Sequence, residues 1–162
     1  MKDLKSYLHN VVDPISKDPM RKNHVLIVIK PGFENLLGTL CDLFKQNGYK
    51  IIKTKTKQLL LQEAKSLYKV HSQEDFYEDL CKYMSSGLST AMILYKKSDN
   101  IFKDFEKLKD KIRDEHGESD MRNVIHSSDS YKNFTHESQI YFYNGESTGF
   151  IKNVTFYYIN VK

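Results

Sequence analysis

The side chains best suited to chemistry are concentrated in one run, Arg113-Asp-Glu-His-Gly-Glu-Ser-Asp-Met-Arg-Asn-Val-Ile-His-Ser-Ser-Asp-Ser130. His126 closes a short apolar stretch of it. An imidazole there is neutral and nucleophilic near pH 7, and its neighbours decide which ring nitrogen carries the proton. Arg113 offers a planar fork of N–H donors that matches phosphate. Asn123 is an unusual residue for a short apolar strand. Each of these is weak alone. The chain has six histidines, and the default role of a single one is structural. The two cysteines, Cys41 and Cys81, fall in apolar-periodic segments without metal-ligand spacing. They read as reduced core thiols of a cytoplasmic protein, and no metal-ligating set is expected.

The elements that must position these groups follow from periodicity. Residues 1–22 read as a leader in which Leu4, Tyr7, Leu8 and Val11 have helical spacing. His24-Val-Leu-Ile-Val-Ile-Lys30-Pro31 is an apolar run stopped by proline, as a buried strand would be. Leu36, Leu37, Leu40 and Phe44 predict a helix that Gly48 ends. Tyr49 to Thr56 predicts a second strand. Its alternating Lys53, Lys55 and Lys57 suggest a solvated face and an edge protected from pairing.

Ala64, Leu67, Tyr68 and His71 share one helical face. Ser72 is an N-cap candidate for the next helix, on which Phe76, Leu80 and Tyr83 share a face. Leu88 to Tyr95 reads as a third strand, Ile101 to Ile112 as a helix, Arg122 to Ile125 as a fourth short strand, and a last helix starts near Tyr131. The order β-α-β-α-α-β-α-β-α predicts an α+β fold: a ferredoxin-like four-stranded antiparallel sheet covered by helices, placed on one face. The domain is expected to span 23–142. Residues 143–162 read as a C-terminal extension of strand or hairpin character, from the aromatic–polar alternation that begins at Tyr141.

The net charge of +4 is modest and fits a lysine-rich surface as well as it fits polyanionic partners. No apolar run approaches a membrane span, so a membrane partner is not expected.

The segment Asn123-Val-Ile-His126-Ser-Ser-Asp-Ser130 resembles the active-site signature of nucleoside diphosphate kinases, Asn-x-x-His-Gly-Ser-Asp-Ser. The resemblance extends in order along residues 24 to 142. Ile29-Lys30-Pro31 is similar to the family's strand-end Ile-Lys-Pro, and Tyr68 stands in a matching Tyr-x-x-His. Phe76-Tyr-Glu-Asp-Leu-Cys-Lys-Tyr-Met-Ser-Ser-Gly87 is similar to Phe-x-x-x-Leu-x-x-Tyr-Met-x-Ser-Gly. Arg113 lies at the family's spacing before the histidine. The resemblance implies His126 as the group that accepts a phosphoryl, with Tyr68, Ser128 and Glu137 supporting it. Glu137 would accept from one ring nitrogen and leave the other to attack. It also implies that Lys30 and Arg113 hold phosphate, Asn123 the ribose, and Phe76 and Leu80 the base.

By type alone, several of these have plainer readings. Lys30 would be a surface lysine, Tyr68 a half-buried tyrosine on an amphipathic helix, Leu80 core, and Glu137 a solvated charge.

The sequence departs from the pattern at three places. The loop after the third strand that carries an Arg and a Thr in the family is several residues short, with Lys103, Glu106 and Lys107 the nearest residues. Ser127 replaces the Gly after the histidine, and Gly32 the Asp after Ile-Lys-Pro. Ile112-Arg113-x-x-x-Gly117-x-x-Asp120-x-Arg122-Asn123 is similar to a divergent eukaryotic branch.

The implied activity is transfer of the γ-phosphoryl of a nucleoside triphosphate to a nucleoside diphosphate through phosphohistidine. Mg²⁺ would be held mainly by the nucleotide phosphates. The alternative is a weakly active or inactive nucleotide-binding or scaffolding module of the same fold. A homo-oligomer is implied by family habit. Nucleic acid is not an expected partner, because the second strand offers Lys and Thr instead of paired exposed aromatics.

Overall fold

A near-continuous apolar sequence needs cover on both sides, and β1 (His24–Ile29) is buried at every position. The computed structural model describes residues 23–142; the leader 1–22 and the extension 143–162 lie outside the described residues. β1 is followed by a 3-10 turn (Glu34–Leu36), α1 (Leu37–Gln46), β2 (Lys50–Gln58), α2 (Leu61–Leu67), a second 3-10 turn (Lys69–His71) and α3 (Tyr77–Ser85). Then come β3 (Leu88–Tyr95), α4 (Ile101–His116), β4 (Ile125–Ser127) and α5 (Tyr131–Phe142). The strands form one antiparallel sheet in the order β2-β3-β1-β4, the expected ferredoxin-like arrangement.

The helices do not share one face. Val25, Ile27 and Ile29 point to a core with α1 and α4, whose Leu40, Phe44, Phe105 and Ile112 pack there. Leu26 and Val28 point to a second core with Ala64, Leu67, Leu80 and Met84 of α2 and α3 and Ile140 of α5. Two-residue alternation therefore decides which layer a strand residue serves.

Four local expectations are corrected. Ser72 caps no helix: α3 begins at Tyr77, with Phe76 in the cap position. The residues between are held instead by successive turns, His71 N–H to Tyr68 O (2.8 Å) and Tyr77 N–H to Glu74 O (3.0 Å). The lysine face of β2 is only partly solvated, although β2 is an edge strand. Lys53 Nζ lies 5.0 Å from the Phe142 ring centroid, and Lys57 bonds Glu63 and the Ile140 carbonyl. Tyr141 and Phe142 end a helix rather than start a strand, and both are buried. The fourth strand is Ile125–Ser127 and not Arg122–Ile125. Pairing with β1 is available only from Ile125 onward, because Val124 takes φ +71.

Candidate active site

His126 sits in the middle of β4, directly opposite Val28 of β1. Opposed residues of an antiparallel pair share a face. His126 therefore points into the layer formed by α2, α3 and α5, and two groups of that layer meet its ring. The Glu137 carboxylate on α5 lies 3.0 Å from His126 Nε2, with 16% and 6% of the two side chains exposed. The Tyr68 ring, just past α2, meets the imidazole edge-on with centroids 5.3 Å apart. A carboxylate only accepts hydrogen bonds, so this contact places the proton on Nε2 and leaves the Nδ1 lone pair available. The Tyr68 hydroxyl is buried and has no hydrogen-bond partner among the described residues. Burial first, and the nearby Tyr141 and Glu137 next, push its ionisation well above the usual phenol range.

Lys30 continues the alternation of β1, two residues beyond Val28, and so shares the face of His126. It is buried rather than a surface lysine, with 4% exposed. Its Nζ donates to the Met121 carbonyl at 2.9 Å. Burial, reinforced by the positive charge of Arg113, lowers its pKa to about 7. Arg113, near the end of α4, donates through Nε (3.1 Å) and Nη2 (2.8 Å) to the Ile125 carbonyl. One edge of the fork thus clamps the residue before His126.

Backbone strain shapes the approach to the histidine. Ile125 N–H donates to Asn123 O at 2.8 Å around Val124, a γ-turn with positive φ, which is rare for a β-branched residue. Asn123 is thereby turned out of the strand. Its Nδ2 donates to Asp120 O (2.7 Å), while Oδ1 is buried with no hydrogen-bond partner among the described residues.

Asn123 and Arg113 line an open cleft of about 420 Å³ together with Asp110, Asp114, Gly117, Glu118, Ser119 and Asp120. Lys103, Glu106 and Lys107, the residues nearest the shortened loop, are not part of its lining. Carboxylates stand there instead.

The remaining candidates divide. Phe76 is 47% exposed, at the start of α3. Leu80 is buried in the core beneath it. Ser128 does not bond the histidine: its Oγ accepts from Leu26 N–H (3.0 Å) and its own N–H donates to Leu26 O (2.9 Å). It pins the chain leaving β4 to β1.

Arg122 was not singled out from the sequence. Its guanidinium lies over the Phe33 and Tyr83 rings (5.6 and 5.3 Å) and bonds Glu118. A Cβ on Gly32 would come within 2.9 Å of Arg122 Nη2, and Gly32 itself has φ +88, so glycine is needed where the family carries Asp. The adjacency Arg122-Asn123 was the available signal.

An α+β sheet that presents a carboxylate-paired histidine beside a buried lysine and an arginine defines a class: a protein whose site suits an anionic ligand. The comparisons narrow it. The family model described as nucleoside diphosphate kinase matches residues 23–147. The nucleoside diphosphate kinase of Prosthecochloris aestuarii is 33% identical over 134 residues, 75% of this chain and 94% of that protein. That of Flavobacterium psychrophilum is 33% identical over 135 residues, covering 76% and 96%. The crystal structure of the Aquifex aeolicus nucleoside diphosphate kinase superposes with a TM-score of 0.63 at 26% identity, covering 73% of this chain and 93% of that one. The chain belongs to the nucleoside diphosphate kinase family.

Proposed function

We propose that His126 is the nucleophile of a ping-pong phosphoryl transfer between nucleotides. The chain is a phosphotransferase of its family, and the observation that carries the assignment of this residue is the 3.0 Å contact of Nε2 with Glu137. It leaves Nδ1 as the attacking atom. The Nδ1 lone pair forms the N–P bond while the bond from the γ-phosphorus to the bridging oxygen breaks, and the nucleoside diphosphate departs with the electron pair. A second diphosphate reverses the sequence. Developing positive charge on the ring is met by Glu137, already in place. Lys30 and the unused edge of the Arg113 fork supply positive charge for the phosphates. Asn123, whose Oδ1 has no partner among the described residues, has an acceptor for a ribose hydroxyl, and Phe76 offers an exposed face for any base.

Among the described residues no three His, Cys, Asp or Glu side chains are grouped to hold a metal. Mg²⁺ would be carried by phosphate oxygens, and the carboxylates lining the cleft suit a ligand that arrives as a metal complex. When bound, the ion offsets charge on the phosphate chain. Cys41 and Cys81 are free thiols, which supports a reducing, cytoplasmic setting. Among the described residues no helix is long and apolar enough to cross a membrane.

The test is incubation with γ-labelled ATP and Mg²⁺, then a chase with GDP. Acid-labile label on the native protein that moves to GTP, and is absent from His126→Ala, is the expected result. If His126→Ala takes up label equally, the nucleophile lies elsewhere. ATP that raises the melting temperature without any label would mark a binding module instead.

A further inference from the structure

The corner between α2 and α3 carries a second imidazole that the transfer just described does not use. His71 closes the 3-10 turn after Tyr68. Its N–H donates to the Tyr68 carbonyl (2.8 Å) and its carbonyl accepts from Glu74 N–H (2.9 Å). These turns hold its ring between two others. The Tyr68 centroid is 6.4 Å away at an interplanar angle of 34°, and the Phe76 centroid 5.8 Å away at 50°. Tyr68 in turn meets His126. A connected series of rings thus runs from the reacting imidazole to the exposed Phe76. An exposed ring gives up rotational freedom when a base stacks on it. A neighbour that already confines the ring reduces that loss, and so raises affinity without touching the ligand.

We propose that His71 is a positioning residue of the nucleotide site, holding the Phe76 ring in the orientation on which a base stacks. The inference rests on the reading of Phe76 as the base platform. It assigns the imidazole a packing role exerted through Phe76, with no contact to phosphate. Its influence must then be confined to ligands that carry a base.

Binding separates this from a general structural role. ADP and inorganic pyrophosphate are titrated calorimetrically, with Mg²⁺, into the full native chain, His71→Ala and His71→Phe, with ATP-to-GDP transfer followed in parallel. His71→Ala is expected to bind ADP roughly three- to ten-fold more weakly, the size of one aromatic contact. Pyrophosphate binding stays unchanged, KM for ATP rises by the same factor at constant kcat, and His71→Phe restores ADP binding. In a Phe76→Ala background the His71→Ala change has no further effect on ADP.

Unchanged ADP affinity in His71→Ala overturns the proposal. So does equal weakening of ADP and pyrophosphate, or a His71→Phe variant no better than His71→Ala. A native protein that binds ADP but transfers nothing sinks the kinase reading alone, and the binding comparison still decides His71. A native protein that binds no ADP sinks both.

Discussion

The contact of His126 with Glu137 can be judged by removing charge while keeping shape. Glu137→Gln retains a hydrogen-bonding group beside Nε2 but can no longer offset the positive ring that forms when Nδ1 bonds phosphorus. Phosphorylation of His126 in a single turnover should slow by about 10- to 100-fold with nucleotide affinity preserved, the usual cost of losing a histidine's orienting partner. An unchanged rate would mean that Glu137 is only structural.

Lys30 makes a different prediction, because burial holds its pKa at about 7, against the 10.5 of an ordinary lysine. Between those values the folded protein binds fewer protons than the unfolded chain. Stability from this group therefore rises with pH through that window, and its cost is complete below pH 7. A phosphate beside Nζ favours the charged form, so through Lys30 nucleotide binding should take up about one proton near pH 9 and none near pH 6. Calorimetry in buffers of different ionisation enthalpy reads this directly, and Lys30→Met should abolish it. Nothing in the triplet Ile29-Lys30-Pro31 gives away that burial; it depends on the Met121 carbonyl, 91 residues away.

At the scale of elements, the proposed catalytic pair depends on how α5 is fixed, since Glu137 rides on that helix. Lys57 of β2 donates to Glu63 Oε1 and to the Ile140 carbonyl, both at 2.8 Å, near the C-terminus of α5 where a cation also opposes the helix dipole. Lys57→Met should lower stability by about 2 kcal/mol, from charge-assisted hydrogen bonds lost at a half-buried site, and urea titration would measure it. A change within experimental error would show that Tyr141 and Phe142 alone seat the helix.

This anchoring was hidden in the sequence, where Lys53, Lys55 and Lys57 read as one solvated face; only Lys55 among them is exposed. Helices whose apolar spacing is local, such as α4, expected over Ile101 to Ile112 and found to run on to His116, were legible because periodicity alone sets their buried face. β4 was not. Its start is fixed by pairing of Ile125 with Ile29 and by the positive φ of Val124, and neither leaves a local trace. The candidate site residues came from the order of the motifs. Their contacts, above all Ser128 with Leu26 and not with His126, came only from the fold.

At the scale of the whole molecule, far and near fields oppose one another. The chain carries a net charge of +4, which favours the approach of polyanions. Yet the cleft at Arg113 is walled by Asp110, Asp114, Glu118 and Asp120, and the lysines of α4 lie outside that lining. Arg113 is the one basic residue in this lining, where the resemblance would lead one to expect an added arginine among the phosphate-binding groups. A bare triphosphate must then bring its charge against several carboxylates with one guanidinium in compensation. A metal complex meets the same wall with its charge part-offset, and the carboxylates become favourable. Chelating Mg²⁺ should therefore weaken ATP binding at least about ten-fold, a difference of roughly 1.4 kcal/mol. Neutralising Asp114, which is exposed and makes none of the contacts that hold His126, should strengthen the binding of metal-free ATP and narrow the gap between the two forms. Titrations of native protein and Asp114→Asn, each with Mg²⁺ and with EDTA, read both effects. If native protein binds the two forms of ATP equally, the phosphates do not lie against this wall, and Lys30 with the free edge of Arg113 is counter-charge enough.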